Sequence, residues 1–175
     1  MGRRQKELLV VDGYNIINAW EELKEIAEIN LENARDRLNL IIAEYLEYRG
    51  IKGYIIYDAY RVKTLMNREE TLKSLTIIYT KEKQTADSYI EKFINDFKDK
   101  RNTIIRVATD DVAEQNMVIG KGASRLSTLE LHLEIKSSQK KIKDRINHRD
   151  SKKNTLYTVL DDDILAKLEQ MRRGN

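Results

Sequence analysis

The chain has 175 residues, of which 41% are hydrophobic and 35% are charged, so it can bury one core beneath a highly charged surface. Its 32 Lys and Arg against 29 Asp and Glu give a net charge of +3, which is too small to demonstrate a polyanionic partner. The absence of cysteine excludes disulfides and thiolate metal sites, and the apolar stretch after Glu7 is too short for a signal sequence or a membrane span. We therefore expect a cytoplasmic protein with no membrane partner.

A buried strand near the start of the chain organises the pattern. Residues 8–11 are four consecutive apolar residues, and they are followed at once by Asp12 and Gly13. Such a run is typical of a strand buried on both faces, as in a parallel sheet covered by helices. In these sheets the ligand crevice lies outside the carboxyl ends of the strands, so we expect Asp12 at its mouth.

Strands and helices alternate along the rest of the chain. Further strands are predicted at residues 54–57, 75–79 and 103–108. Helices are predicted over about 20–27, 30–49, 86–97, 112–118, 128–148 and 161–171, and residues 61–73 are predicted to form a mobile loop. This order predicts an α/β fold with a mainly parallel sheet flanked by helices. We expect a single domain over residues 1–175, with a helical tail from about residue 150.

Helix boundaries are marked by residues with known capping preferences. Asn30 and Thr85 are suited to N-cap positions, and Gly50 to the position just after a helix. Ser127 and Glu130 have the spacing of a capping box at the start of a long basic helix.

Aspartates follow three of the predicted strands and begin one helix: Asp12, Asp58, Asp110, Asp111 and Asp87. In a parallel sheet these positions share one edge, where carboxylates repel one another unless a cation neutralises them. Oxygen donors without His or Cys favour Mg²⁺ or Mn²⁺ over zinc, and such ions support attack on phosphodiesters. Structural roles stay open: helix dipoles for Asp87 and Asp111 (about 0.3 to 1 kcal/mol each), an N-cap for Asp110, and an ordinary strand end for Asp58.

Three short motifs, at residues 11–15, 85–87 and 108–111, together resemble the NYN branch of the PIN-like nucleases. The wider set of matches resembles the YacP family, and it comprises Ala34-Arg35-Asp36, Asp58-Ala59-Tyr60, Thr80-Lys81-Glu82, Glu114-Gln115, Gly122-Ala123 with Arg125 and Ser127, and residues 171–174. The resemblance implies a PIN-like three-layer fold. It also implies a metal-dependent endoribonuclease that acts on messenger RNA at the ribosomal A site, contributes to mRNA decay and needs no cofactor beyond the metal.

The resemblance also assigns roles to residues. Asp12, Asp87 and Asp111 match the metal-binding acids, Asn15 matches a polar partner that orients Asp12 or a water on the metal, and Thr109 matches the threonine of a T-x-D turn.

The middle position of that turn departs from the family pattern. It is commonly small or neutral in the family but is Asp110 here. The spacing favours Asp111 as the ligand, with Asp110 as a supporting carboxylate, and Asp58 also matches a family position.

Basic residues concentrate in three segments. The densest contains Lys136, Lys140, Lys141, Lys143, Arg145, Arg149, Lys152 and Lys153. We interpret it as a surface for RNA or the ribosome, although a solvated helix face is the usual fate of such a run. Lys121 with Arg125, and Arg61, Lys63 and Arg68, are further candidates. Tyr57, Tyr60 and Tyr79 either stack on bases or belong to the core.

Two other functions are compatible with the pattern. A binding module could use this fold on the ribosome without cleavage, although all three matched acids are present. A phosphatase of the aspartyl-phosphate type needs a second Asp two residues after the nucleophile, where Tyr14 stands instead.

Overall fold

A computed structural model describes residues 5–59 and 66–148. Its strands are Lys6–Asp12 (β1), Lys52–Tyr57 (β2), Arg68–Leu72 (β3), Leu75–Tyr79 (β4), Thr103–Ala108 (β5) and Ser124–Leu126 (β6). They form one sheet in the order β3-β4-β2-β1-β5-β6, in which every neighbouring pair is parallel except β3 with β4. The predicted mainly parallel sheet is confirmed.

The helices are Gly13–Ala19 (α1), Glu21–Ile29 (α2), Leu31–Arg49 (α3), Ala86–Asp96 (α4), Val112–Gly120 (α5) and residues 128–148 (α6). The predicted caps are confirmed. Asn30 caps α3, which ends at Gly50 with φ 64°, and the Thr85 side chain caps α4. Ser127 and Glu130 exchange hydrogen bonds of 2.7 and 3.1 Å at the start of α6. The reciprocal pair is the capping box that the spacing predicts.

Both faces of the sheet are buried, which explains the unbroken apolar run in β1. Leu9 and Val11 contribute to the core on the side of α1, α2 and α3, whereas Leu8 and Val10 contribute to the core on the side of α4 and α5. Successive side chains of a strand point to opposite faces, so a strand between two helical layers must be apolar at every position. The result is the three-layer α/β architecture.

The structure differs from the predicted elements at three places. Residues 68–72 are the edge strand β3 rather than a mobile loop, joined to β4 by a short turn in which Lys73 has φ 54°. An exposed, charged edge strand lacks the apolar run that identifies a buried one. The helix predicted over about 20–27 is α2, but the separate helix α1, which begins at Gly13 after its cap Asp12, was not predicted. The short strand β6 follows the turn at residues 120–123 and was not predicted.

Contacts within the chain define two compact units, residues 1–135 and 136–175. The first contains the sheet, α1 to α5 and residues 128–135 of α6, and the second is described over residues 136–148, which are helical. Arg61 and Lys63, the basic residues from 149 onward and the helix predicted at 161–171 lie outside the described residues. Within the described ranges, no helix is both long and apolar enough to span a bilayer.

Candidate active site

Three carboxylates from distant segments converge at the carboxyl edge of the sheet. Asp12 ends β1, Asp87 lies in the first turn of α4 and Glu114 lies in the first turn of α5. One oxygen of each lies within 4.8 Å of the other two. Asp12 is 9% exposed and Glu114 is 2% exposed, whereas Asp87 is open to solvent. The cluster therefore has a buried floor and an accessible side.

Asp12 is fixed by a tight passage of the chain from β1 into α1. Its carboxylate accepts a hydrogen bond of 3.3 Å from the backbone N–H of Asn15, which makes it the N-cap of α1. A Cβ atom on Gly13 would lie 2.2 Å from the ring of Tyr57, so only glycine lets the backbone pass this close. Tyr57 is itself fully buried, which confirms the core alternative for this tyrosine.

Asp87 is positioned by two caps at the start of α4. The Thr85 hydroxyl accepts from the Ser88 N–H, and the Asp58 carboxylate accepts from the Ala86 N–H. Asp58 therefore holds the turn that carries Asp87 and does not belong to the group of three converging carboxylates. The supporting role of Asp58 in the reaction stays a prediction.

The acidic residues that follow β5 have different hydrogen-bond partners and different positions. Thr109 is buried, and its hydroxyl accepts from the Asp111 N–H at 3.1 Å. Asp111 accepts from the Glu114 N–H at 2.9 Å and is the N-cap of α5. Glu114, which we did not predict as a ligand, is the residue of this turn that joins the converging group. The feature of the sequence that could have identified Glu114 is its position in the first helical turn after the cap Asp111.

Asp110 connects the same turn to the next helix. Its carboxylate accepts from the N–H of Thr128 at 2.9 Å and from the Thr128 hydroxyl. Its own N–H donates to the side-chain oxygen of Asn15 at 2.8 Å. Asn15 thus joins the turns after β1 and β5 through its side chain and contacts Asp12 through its backbone. Asp110 and Asn15 therefore hold the turns around the carboxylates in place.

The electrostatics of the cluster favour a cation. Burial raises the pKa of Asp12, and the charges of Asp87 and Asp58 raise it further. Burial also raises the pKa of Glu114, as do the charges of Asp12 and Asp87. Burial and the charges of Asp111 and Asp58 do the same for the pKa of Asp87. Each group would bind a proton more readily than usual unless a positive ion neutralised the site.

The donor set fits a hard divalent ion. All three ligand candidates offer carboxylate oxygens, as Mg²⁺ and Mn²⁺ prefer. Both oxygens of Glu114 are buried, and neither forms a hydrogen bond of ordinary geometry within the described residues, although the nearby Thr109 side chain partly offsets the rise in the pKa of Glu114. A buried carboxylate without partners is costly unless an ion or a proton occupies the position that it faces. Asp12, Asp87 and Glu114 could therefore hold such an ion.

A basic and aromatic cluster lies on the same edge of the sheet. Tyr79 ends β4 and is half-buried, and the guanidinium carbons of Arg35 and Arg68 lie 5.7 and 5.5 Å from its ring centre. Arg35 also donates to the Tyr14 hydroxyl at 2.9 Å, two residues from Asp12. Arg35 was not predicted as a binding residue, although it belongs to a matched family motif.

The other predicted contact residues are distributed over both units. Lys121 forms an ion pair of 3.2 Å with Glu91, and Arg125 is exposed on β6. The remaining four, all exposed on the helical segment of the second unit, are Lys140, Lys141, Lys143 and Arg145. Their role in binding stays a prediction.

Comparison with known proteins identifies the family of this chain. The model of the YacP-like NYN domain family matches residues 9–173. The "Uncharacterized protein YacP" of Bacillus subtilis (strain 168) is 37% identical over 169 residues, which cover 97% of this chain and 98% of that protein. A crystal structure of Rae1 (YacP) from Bacillus subtilis is similar with a TM-score of 0.73 and 38% identity, covering 95% of both chains. A crystal structure of a point mutant of Rae1 gives a TM-score of 0.71 and 36% identity, covering 83% of this chain and 84% of that one. This chain therefore belongs to the YacP-like NYN domain family, a nuclease family.

Proposed function

We propose that this protein is a metal-dependent endoribonuclease that cleaves messenger RNA at the A site of the translating ribosome and so contributes to mRNA decay. The observation that carries the proposal is the convergence of Asp12, Asp87 and Glu114 within 4.8 Å in a chain of a nuclease family. The ribosome and the A site rest on the resemblance to the YacP family.

Asp12, Asp87 and Glu114 are the proposed ligands of Mg²⁺ or Mn²⁺. Asp111 remains a candidate ligand, because its charge acts on both Asp87 and Glu114. When bound, such an ion acidifies a water and stabilises the charge that develops on a phosphate. Thr109, Asn15, Asp58 and Asp110 keep the turns that carry these acids in place.

The chain's own residues also supply contacts for RNA. Arg35 and Arg68 offer cations for phosphate oxygens beside the half-buried ring of Tyr79, on which a base can stack. Hydrolysis of the P–O3′ bond by water leaves a 5′-phosphate and a 3′-hydroxyl. The 2′-hydroxyl takes no part in that reaction, so a preference for RNA has to come from such binding contacts.

The experiment compares cleavage of free RNA and of ribosome-bound messenger by EDTA-treated protein supplied with Mn²⁺, Mg²⁺ or neither. Wild type is expected to produce internal cuts with 5′-phosphate ends only when an ion is present. Asp12→Asn should produce none. Glu25→Gln, which removes an exposed carboxylate on α2, is the matched control and should cut like wild type.

The alternative function is a ribosome-binding module that does not cleave RNA. Wild type that binds ribosomes but leaves every RNA intact under all three metal conditions would favour the module over the nuclease.

The exposed lysines of the second unit are the proposed contact with the ribosome or RNA. Reversing the charges of Lys140, Lys141 and Lys143 to Glu should weaken ribosome binding in low salt and leave Mn²⁺ affinity unchanged. Sedimentation with ribosomes and Mn²⁺ titration measure the two effects. Unchanged binding in low salt would show that these lysines are only solvated.

A further inference from the structure

A groove of about 500 Å³ along α4 has no role in the site described above. Tyr89, Phe93 and Phe97 line it, and their spacing of four residues places them on one side of the helix. Each is half-buried, so its ring packs on the core and also contributes to the groove. The ring centres of Tyr54 and Phe93 lie 4.7 Å apart, which fixes the Phe93 ring from behind. The groove thus contains aromatic rings held in place and partly open to solvent.

Lysines surround these rings. Lys81, Lys92 and Lys98 line the groove together with one acid, Asp96. All three lysines are exposed, and none forms an ion pair with another residue of the described ranges. The lining therefore carries an excess of positive charge that attracts a polyanion.

One end of the groove lies at the carboxyl edge of the sheet, the edge at which the carboxylates also lie. Its lining residues Lys81 and Gln84 belong to the turn between β4 and α4. The Thr80 hydroxyl of this turn accepts from the Ala59 N–H at 3.0 Å and donates to the Gln84 carbonyl at 2.7 Å. From there α4 extends about 16 Å along the groove, at 1.5 Å per residue over its 11 residues. Asp87 lies in the first turn of α4, on a different side of the helix from Tyr89 and Phe93, so RNA that joins the two regions passes over the start of this helix.

We propose that this groove binds single-stranded RNA that extends from the candidate active site, with bases on Tyr89 and Phe93 and phosphates at Lys81 and Lys92. Aromatic faces combined with lysines are the features by which proteins bind single strands without sequence preference. An apolar peptide would leave the three lysines without partners, whereas the phosphates of RNA would neutralise them. The inference rests on the proposed function for its ligand.

The test measures binding of a short, fluorescein-labelled single-stranded RNA in EDTA, which prevents cleavage. Tyr89→Leu removes the stacking face but keeps an apolar side chain, and Lys92→Gln removes a charge at an exposed position. Each should weaken binding about 5- to 10-fold. Lys24→Gln, an exposed change on α2, is the matched control and should bind like wild type. A 4-thiouridine RNA should crosslink to residues 81–98.

The outcomes separate this groove from the nuclease proposal. Wild-type binding by the folded Lys92→Gln and Tyr89→Leu variants, or crosslinks confined to other segments, would overturn the groove even if the enzyme cleaves RNA. If Tyr89→Leu fails to fold, Lys92→Gln and the crosslinks decide the matter. Weaker RNA binding by these variants, in a protein that cleaves nothing with any metal, would support the groove and contradict the nuclease.

Discussion

Asp12 combines a structural and an electrostatic role, and substitution can separate them. Asn at this position still accepts the hydrogen bond from the Asn15 N–H but carries no charge. In EDTA near neutral pH, we expect Asp12→Asn to raise the free energy of unfolding by about 1 kcal/mol or leave it unchanged, because repulsion is relieved. Stabilisation by Mn²⁺ should disappear. Urea unfolding with and without Mn²⁺ measures both effects, and a strong loss of stability in EDTA would contradict the prediction.

Glu114 and Asp111 compete for the position of third ligand. Glu114→Gln should weaken Mn²⁺ binding more than about tenfold, because a buried carboxylate of the converging group loses its charge. Asp111→Asn keeps the cap of α5 and should have a smaller effect. Titration of Mn²⁺ followed by electron paramagnetic resonance compares the two. A larger loss for Asp111→Asn would restore the ligand set predicted from the sequence.

At the residue scale, the sequence identifies Asp12 and Asp87 because each has a distinctive local position. Asp12 directly follows a buried strand, and Asp87 falls in the first turn after a good N-cap. Three acids follow β5 within six residues, and the local pattern does not distinguish Asp110, Asp111 and Glu114. Their tasks depend on partners elsewhere, such as Thr128 for Asp110. Glu114, the candidate ligand that the sequence did not reveal, is therefore the one whose role depends on tertiary contacts.

Several helices begin where the carboxylates meet. Asp12 and Asp111 cap α1 and α5, and Asp58 binds the first N–H of α4. The positive ends of these helix dipoles face the acidic cluster and partly offset its repulsion. The capping residues and the acidic site are therefore parts of one arrangement.

Substitution of Asp58 tests whether the residues that cap the helices also maintain the acidic site. Asp58→Ala leaves the Ala86 N–H without its partner and should lower the free energy of unfolding by about 1 kcal/mol. Cleavage should fall because the turn that carries Asp87 loosens. Asp58→Asn keeps an acceptor and should recover most of both properties. Thermal unfolding and cleavage rates measure the effects. An Asn variant as inactive as the Ala variant, at wild-type stability, would indicate that the Asp58 charge itself takes part.

At the element scale, the sequence predicts what local chemistry determines. Buried strands and the caps at Asn30, Thr85 and Ser127 can be predicted from the sequence, because apolar runs and capping residues act over a few positions. The edge strand β3 cannot be predicted in this way, because it is a strand through its pairing with β4 and not through its own composition. The start of α1 at Gly13 depends on an aspartate that was interpreted as a ligand and is also a cap.

The raised pKa values give the metal-free protein a characteristic pH dependence. Asp12, Asp87 and Glu114 keep protons in the folded state at pH values where unfolded carboxyls, with ordinary values of 3.8 and 4.5, have lost them. Folding then takes up protons, so these groups lower the free energy of unfolding as pH rises above about 4. The decrease ends when the groups are ionised in the folded state as well. A bound divalent ion should remove most of it.

Urea unfolding in EDTA and in Mn²⁺, at several pH values, measures this dependence. The difference between wild type and Glu114→Gln isolates the contribution of the cluster from that of other carboxyls. A difference that does not change with pH in EDTA would contradict the prediction.

At the scale of the whole molecule, alternation of strands and helices predicts the parallel sheet and the common edge for the acids. It does not predict the strand order, because several orders of parallel strands are compatible with the same alternation. The placement of β1 between β2 and β5 brings Asp12 towards both Asp87 and Glu114. The strand order follows from the sequence only through the ordered motifs that resemble the family, because the resemblance implies the fold.

The pairing of β1 with β5 has a consequence during translation. Asp12 is synthesised early. Strand β5, which pairs with β1, and Glu114 emerge from the exit tunnel only after most of the polypeptide has been synthesised. Every nascent fragment that ends before Glu114 lacks one of the three candidate ligands. An incomplete product released from a truncated messenger is therefore unable to assemble this centre, and only chains elongated beyond α5 can acquire it.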